Sequence, residues 1–586
     1  MFAKTFRMLP LAAALLVSTA NAKPADDLQG VIADHWSWWL SINPVQATSL
    51  GVHDFDGQLR DISLAEQDRE AKAALAFLDR LKAIPDGELS ESDLTNKAVL
   101  ARLLSDQIES NRYGERMMLF TTYDGWHQSF AGMADNLPFR THADYESYLK
   151  RLSLYPQLNG EAINISRQAV AKGFVQPCDA MGGFEDTITG AVAGKPEETR
   201  FFGPFTRARP LDLNDADWVT MKARAISLIR DVIAPEYAKF AHFYLTEYKP
   251  KCRKTVGASA MSGGAAWYAF QARTHTTTLL TPEQIHTIGL SEVARIRAEM
   301  VKVSTDAGYP NREAFIAKLR ADPIYYAKTP EELLAAASRV AKQIDGKMPE
   351  FFGKLPRLPY GVREIPKETA ETTTTAYYNG GSPESGIAGN YYVNTSKLNQ
   401  RPLWELPALT AHEAVPGHHN QIALQQELAL PAFRKNAAGF TAFVEGWALY
   451  SEHLGIEMGL YDTPEKNMGR LSYEMWRACR LVVDTGMHAK GWTKAQAIAF
   501  MRDNSALSDA NIEAEVNRYI SWPGQALGYK IGELKFRELR ARAEKELGPK
   551  FDIRRFHDAV LGQGPVPLDL LERQIEDWIS AEKKRI

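Results

Sequence analysis

Apolar residues recur at three- and four-residue spacings along almost the whole chain, and that period fits one regular structure, the amphipathic helix. The stretches "AEQDREAKAALAFLDRLKAI", "LTNKAVLARLLSDQIESNRY" and "DADWVTMKARAISLIRDVIAPEYAKFAHFYLTEY" carry it through the first half. Thr281-Pro282 and Thr329-Pro330 read as helix starts, because threonine caps free amides and proline needs no amide partner in a first turn. The Pro- and Gly-rich stretches "GFVQPCDAMGGF" and "RFFGPFTRARPLDL" read as loops. Only "TTTTAYYNGGSPESGIAGNYYVNTSKL" has strand character, with two Thr-, Tyr- and Val-rich runs around a Gly-Ser-Pro loop. The pattern predicts a mainly α protein with one small sheet or hairpin just before residue 400.

The 586 residues, 45% hydrophobic and 24% charged, suit either two to four domains or one large helical body. We divide the chain into a leader (1–22), an N-terminal helical lobe (23–279) and a catalytic lobe (280–586), the last two forming one continuous unit. The net charge of −3, from 69 basic and 72 acidic side chains, gives no reason to expect nucleic acid or an anionic membrane as partner. The start, "MFAKTFRMLPLAAALLVSTANAKPADD", has Lys4 and Arg7 ahead of a short apolar run and an Ala20-Asn21-Ala22 cleavage site. That is a secretory signal, with cleavage after Ala22 and export across an inner membrane to the periplasm. The run is shorter than the roughly 20 apolar residues of a membrane span, no cysteine near it indicates a lipid anchor, and no later span is seen. Stable membrane association after cleavage is not expected. In an oxidising compartment Cys178 and Cys252, both in loop-like contexts, could pair, while Cys479 reads as a buried free thiol.

Residues 411–421, "AHEAVPGHHNQ", carry the chemistry. His412-Glu413 opens like H-E-x-x-H, in which two histidines one helical turn apart reach a single zinc ion. The place of the second histidine is taken by Pro416. On an unbroken helix, His418 or His419 would lie about 9–10 Å along the axis from His412, too far for chelation. Pro416 lacks the amide that would bond the His412 carbonyl, and Gly417 tolerates unusual dihedrals. A local kink or bulge there would return one of the two histidines to His412. A two-residue insertion favours His418, with His419 kept as the alternative. Glu445 in "TAFVEGWALYSE" is the candidate third ligand, and Glu452, seven residues on, shares its helix face and is a natural partner for a metal-bound histidine. Glu413 is the candidate general base.

The combination of a secretory signal with "NYYVNT", "HEAVPGHHNQ", "EGWALYSE", "RACRLVVDTGMHAKGWT" and "RYISWPGQALGYKIGELK" resembles a bacterial family of unknown function across nearly the whole mature chain. That family resembles distant gluzincin metallopeptidases such as thimet oligopeptidase and carboxypeptidase Taq. The resemblance implies a two-lobed helical body with a deep channel, a Zn2+ cofactor and short peptides as substrates. The displaced second histidine departs from the gluzincin pattern. Relatives of that kind often add a Tyr or His to steady the developing oxyanion, for which Tyr519, Tyr529 and His488 are candidates. Arg477, Arg480 and Arg518 could fork onto a substrate carboxylate or pair with Asp484, Glu513 or Glu515. The "GNYYVNT" strand could hold substrate backbone as a sheet edge, with Gly386 and Gly389 allowing close approach. Two other readings stay open: a zinc hydrolase of a non-peptide amide, and a non-catalytic helical binding protein.

Overall fold

Threonine caps organise the helices where the sequence places them. The computed structural model describes residues 24–122, 124–370, 374–382 and 386–585, so the leader lies outside the described residues. Helix α1 (Pro282–Asp306) starts with a reciprocal cap between Thr281 and Gln284, and the helix Pro330–Phe351 starts with the Thr329 hydroxyl accepting from the Glu332 amide. The site is built by α2 (Leu406–Glu413), α3 (His418–Glu427), α4 (Thr441–Leu454), α5 (Pro464–Lys490), α6 (Asp509–Ser521) and α7 (Leu527–Leu547). The protein is mainly α, with a small three-stranded sheet. Among the described residues, no helix is long and apolar enough to cross a membrane.

Residues from Phe120 to Tyr248 keep an aromatic-rich core of their own, including Tyr145, Tyr155, Phe205, Trp218 and Tyr237. The helices before it do not stay with it. Leu28, Val99 and Leu104 share a core with Trp447, Phe536 and Leu571 from the other end of the chain. Cys178 and Cys252 form a disulfide at the edge of the aromatic core, and Cys479 is buried and free.

Helix α5 runs through the middle, buried at every residue from Met468 to His488. Several of those residues are charged, and a buried charge is tolerable only when paired. Glu474 is met by Arg470 at 3.0 Å and by Lys530 at 2.9 Å, and Lys530 also contacts Glu292 and Glu533. Helix α4 crosses α7 where Gly446 meets Gly532; a Cβ on Gly446 would sit 2.6 Å from the Gly532 Cα. No other residue pair allows that approach, and it fixes the helix that carries Glu445.

The sheet is mixed. Strand β3 (Gly389–Val393) lies between β1 (Tyr360–Glu364), parallel to it, and β2 (Ala376–Asn379), antiparallel to it. The β2–β3 pair is the expected hairpin, and β1 is an addition. This corrects the expectation that "GNYYVNT" serves as an edge: both sides of β3 are already paired, so its backbone has no ladder left for a substrate. The close approach at Gly389 is to the Tyr378 hydroxyl and the His419 ring.

Candidate metal centre

The Pro-Gly step does more than kink a helix. Helix α2 ends at Glu413, the chain turns through a cis Val415–Pro416 bond, and α3 begins at His418. At Gly417 a Cβ would fall 1.9 Å from the His412 carbonyl oxygen and 2.5 Å from that of Ala411, so only glycine fits. The Trp447 indole of α4 donates to the Pro416 carbonyl at 2.8 Å, tying the turn to the helix that bears Glu445.

This geometry brings His412 and His418 together, with ring centroids 4.8 Å apart and planes nearly perpendicular. Each Nε2 lies 3.5 Å from the same atom, Glu445 Oε2. One nitrogen or oxygen from each of the three residues lies within 4.8 Å of the others, so the group could hold a metal ion. Two nitrogens and a carboxylate oxygen suit a cation such as zinc, which leaves a further position for water at catalytic sites. Glu445 Oε2 is buried, and its nearest partners are those two ring nitrogens at 3.5 Å, longer than an ordinary hydrogen bond. Buried polar atoms of a native protein are almost always satisfied, and a cation between the three residues would satisfy this one.

The electrostatics agree. Burial disfavours a charged His412, but hydrogen bonding to the Glu445 and Glu452 carboxylates outweighs it and raises the imidazole to about 9. Burial also opposes ionisation of Glu445, yet the His418 and His412 rings hold it well below the usual carboxylate range. His412 Nδ1–H donates to Glu452 Oε1 at 2.8 Å, which leaves the Nε2 lone pair for a ligand. Arg477 pairs with the same Glu452 oxygen at 3.2 Å. Glu413, the last residue of α2, is 8% exposed, and its charge adds to the burial that raises the Tyr391 phenol.

The other expected residues lie elsewhere. His419 is outside the cluster: it begins the far face of α3, hydrogen-bonds Tyr378 Oη at 2.9 Å and the Leu358 backbone, and packs on the Tyr360 ring. Burial lowers it to about 4. His488 uses both nitrogens, accepting from the Ala258 amide at 3.0 Å and meeting the Tyr519 carbonyl at 2.9 Å. The Tyr519 hydroxyl donates to Glu515 at 2.7 Å and accepts from Arg480 and Trp476. Tyr529, 7% exposed, accepts from Arg518 at 3.3 Å, with the Arg480 guanidinium stacked 4.1 Å from its ring centre. Of the arginines, Arg477 is held by Glu452 and Arg480 by Glu515. The Trp447 anchor and the Tyr378–His419 contact have no sequence signal, since each depends on where the break in the helix falls.

The model of a family described as "Bacterial protein of unknown function (DUF885)" matches residues 44–575. The chain belongs to that family. Its fold is similar to that of a protein from Colwellia psychrerythraea, described as a "putative lipoprotein", at TM-score 0.87 and 27% identity, covering 95% of this chain and 100% of that one. A counterpart from Shewanella oneidensis, described in the same way and as of unknown function, aligns at TM-score 0.69 and 20% identity, with the same coverage. The M32 carboxypeptidase from Deinococcus radiodurans R1 aligns at TM-score 0.32 and 15% identity, over 89% of this chain and 97% of that one, and carries no argument. No curated protein matches this DUF885 chain.

Proposed function

We propose that this protein is an exported zinc-dependent metallopeptidase that hydrolyses peptide bonds in short peptides. One observation carries the reading: His412, His418 and Glu445 converge on one buried carboxylate oxygen at distances longer than ordinary hydrogen bonds, with a second glutamate adjoining the first histidine. Those three residues would hold the ion. Zinc bound there would acidify water toward neutrality and polarise a carbonyl oxygen.

The chain's own groups supply the rest. The Glu413 carboxylate takes a proton from the attacking water and returns it to the leaving amine nitrogen. Glu452 fixes the His412 tautomer by accepting from Nδ1–H, and the Arg477 ion pair balances its charge. Gly417 and Trp447 hold the turn so that both Nε2 atoms face Glu445. Export is supported by the leader-like start, by the Cys178–Cys252 disulfide and by the description of the two similar structures as lipoproteins. Our reading places its action in the periplasm, an oxidising compartment in which such a disulfide persists. The near-neutral charge balance supports a small substrate over nucleic acid.

The test is metal analysis of purified protein, with hydrolysis of a peptide library and a set of non-peptide amides. Stoichiometric zinc, peptide cleavage abolished by a chelator and restored by zinc, and an inactive but zinc-loaded Glu413→Gln variant are expected. Cleavage of non-peptide amides alone would replace the substrate class. A protein without stoichiometric metal, whose Glu413→Gln variant behaves as wild type in every assay, would be a binding protein.

A further inference from the structure

A cavity of about 550 Å³ is lined in part by Arg320, Arg401, Glu405, Tyr473, Trp476 and Arg518. It connects to the metal centre through side chains. Arg477, ion-paired to the Glu452 that holds His412, stacks on Tyr473 and Trp476 with its guanidinium carbon 4.6 and 4.3 Å from their ring centres. A volume of this size accommodates a few amino-acid residues.

The cavity's cations are unequally committed. Arg320 spends two donors on the carbonyls of Ala506 and Leu507. Arg518 donates to Gln525 and Tyr529 and lies 3.6 Å from Glu515. Arg401 gives one bond to Thr375 at 3.1 Å, and its Nε is buried with no partner. Burial lowers the Arg401 guanidinium below its ordinary value, a mark of a cation short of counter-charge. Glu405 is the obvious counter-ion, but among the described residues its carboxyl makes no hydrogen bond or ion pair. Burial, only partly offset by Arg477, Arg320 and Arg401, raises it to about 8, so at neutral pH it is largely uncharged and leaves Arg401 uncompensated. A guanidinium with an unspent buried donor is matched by a planar carboxylate, which accepts two parallel N–H bonds. The flanking indole and phenol rings favour a carboxylate carried on an organic body over a bare inorganic anion.

We propose that this cavity is a carboxylate subsite in which Arg401 receives the free C-terminal carboxylate or an acidic side chain of a short peptide. The proposal rests on the peptide-substrate reading for its choice of ligand, but not on the metal. Calorimetric titration of the full mature chain as its Glu413→Gln variant, which prevents turnover, would use acetyl-dialanine as free acid and as C-terminal amide, and an amidated peptide carrying Asp or Asn. The free acid should bind about tenfold or more tightly than the amide, the value of a charge-assisted hydrogen bond. An Asp-over-Asn preference in the amidated pair would assign the side chain as the source. Arg401→Gln should erase the preference, Arg401→Lys should keep part of it, and the His418→Ala variant should retain it in full. Equal affinity for acid, amide, Asp and Asn peptides overturns the subsite even if Arg401→Gln does not fold; an undiminished preference in folded Arg401→Gln also overturns it. The same preference in a wild-type protein that metal analysis finds to bind no zinc would remove the peptidase reading and leave the subsite standing.

Discussion

Two buried polar clusters lie within one helical body, and they differ in what they leave over. Around Tyr519 and His488 each hydroxyl and ring nitrogen named above has a protein partner. Around Glu445 the polar atoms converge without closing on one another: the Nε2 atoms of His412 and His418 each stand 3.5 Å from the buried Glu445 Oε2, longer than an ordinary hydrogen bond. Burial alone does not separate them, since Tyr519 is 1% exposed and His412 3%. What marks a site is the capacity that folding does not consume.

The sharpest way to break this comparison is to exchange the two neighbouring histidines. His418→Ala should lose stoichiometric zinc and all hydrolysis, while His419→Ala should keep zinc, as metal analysis would reveal; the opposite result would place α3 in a different register. Glu413→Gln should lower kcat/KM about 10²- to 10⁴-fold with zinc retained, the range for a missing general acid–base group. Glu452→Gln should weaken zinc about 10- to 100-fold, in line with the loss of a partner behind a metal-bound histidine. In the Tyr519 cluster, Tyr519→Phe leaves Glu515, Arg480 and Trp476 each short of a bond. It should cost about 1–3 kcal/mol of stability in denaturant titration, with zinc content and KM unchanged. A fall in kcat without a fall in stability would instead bring Tyr519 into contact with substrate.

Stability should also carry a pH slope. Burial raises Asp484 to about 7, against which the Tyr268 hydroxyl and the Gly524 amide act. The folded state therefore holds its proton more tightly than the unfolded chain. The associated stability is present below about pH 4 and is lost as pH rises through about 7. Asp484→Asn should flatten that slope in melts recorded between the two values, and an unaltered slope would assign it to other groups.

The helices were legible because their period and their Thr-Pro starts are local, and both caps form as the sequence predicts. The trio His412, His418 and Glu445 was legible because chelation restricts spacing and residue type. The choice between His418 and His419 was not, because adjacent residues at a helix start point about 100° apart, and the outcome depends on where α3 begins. Strand β1, "YGVRE", escaped because five residues without alternation carry no period. The arginines of α5 read equally well as ligand-binding or structural, since only the fold reveals that the helix is buried on every side. Arg401, in a short irregular stretch, had no pattern to single it out.

The contact between position 417 and the His412 carbonyl also bears on redesign. Because even one methyl group is excluded there, the spacer between the two imidazoles resists drift: mutations that lengthen, shorten or decorate it would pull His412 and His418 apart. New binding properties are better sought by varying cavity walls remote from that hinge, which leaves the spacing of the two imidazoles untouched.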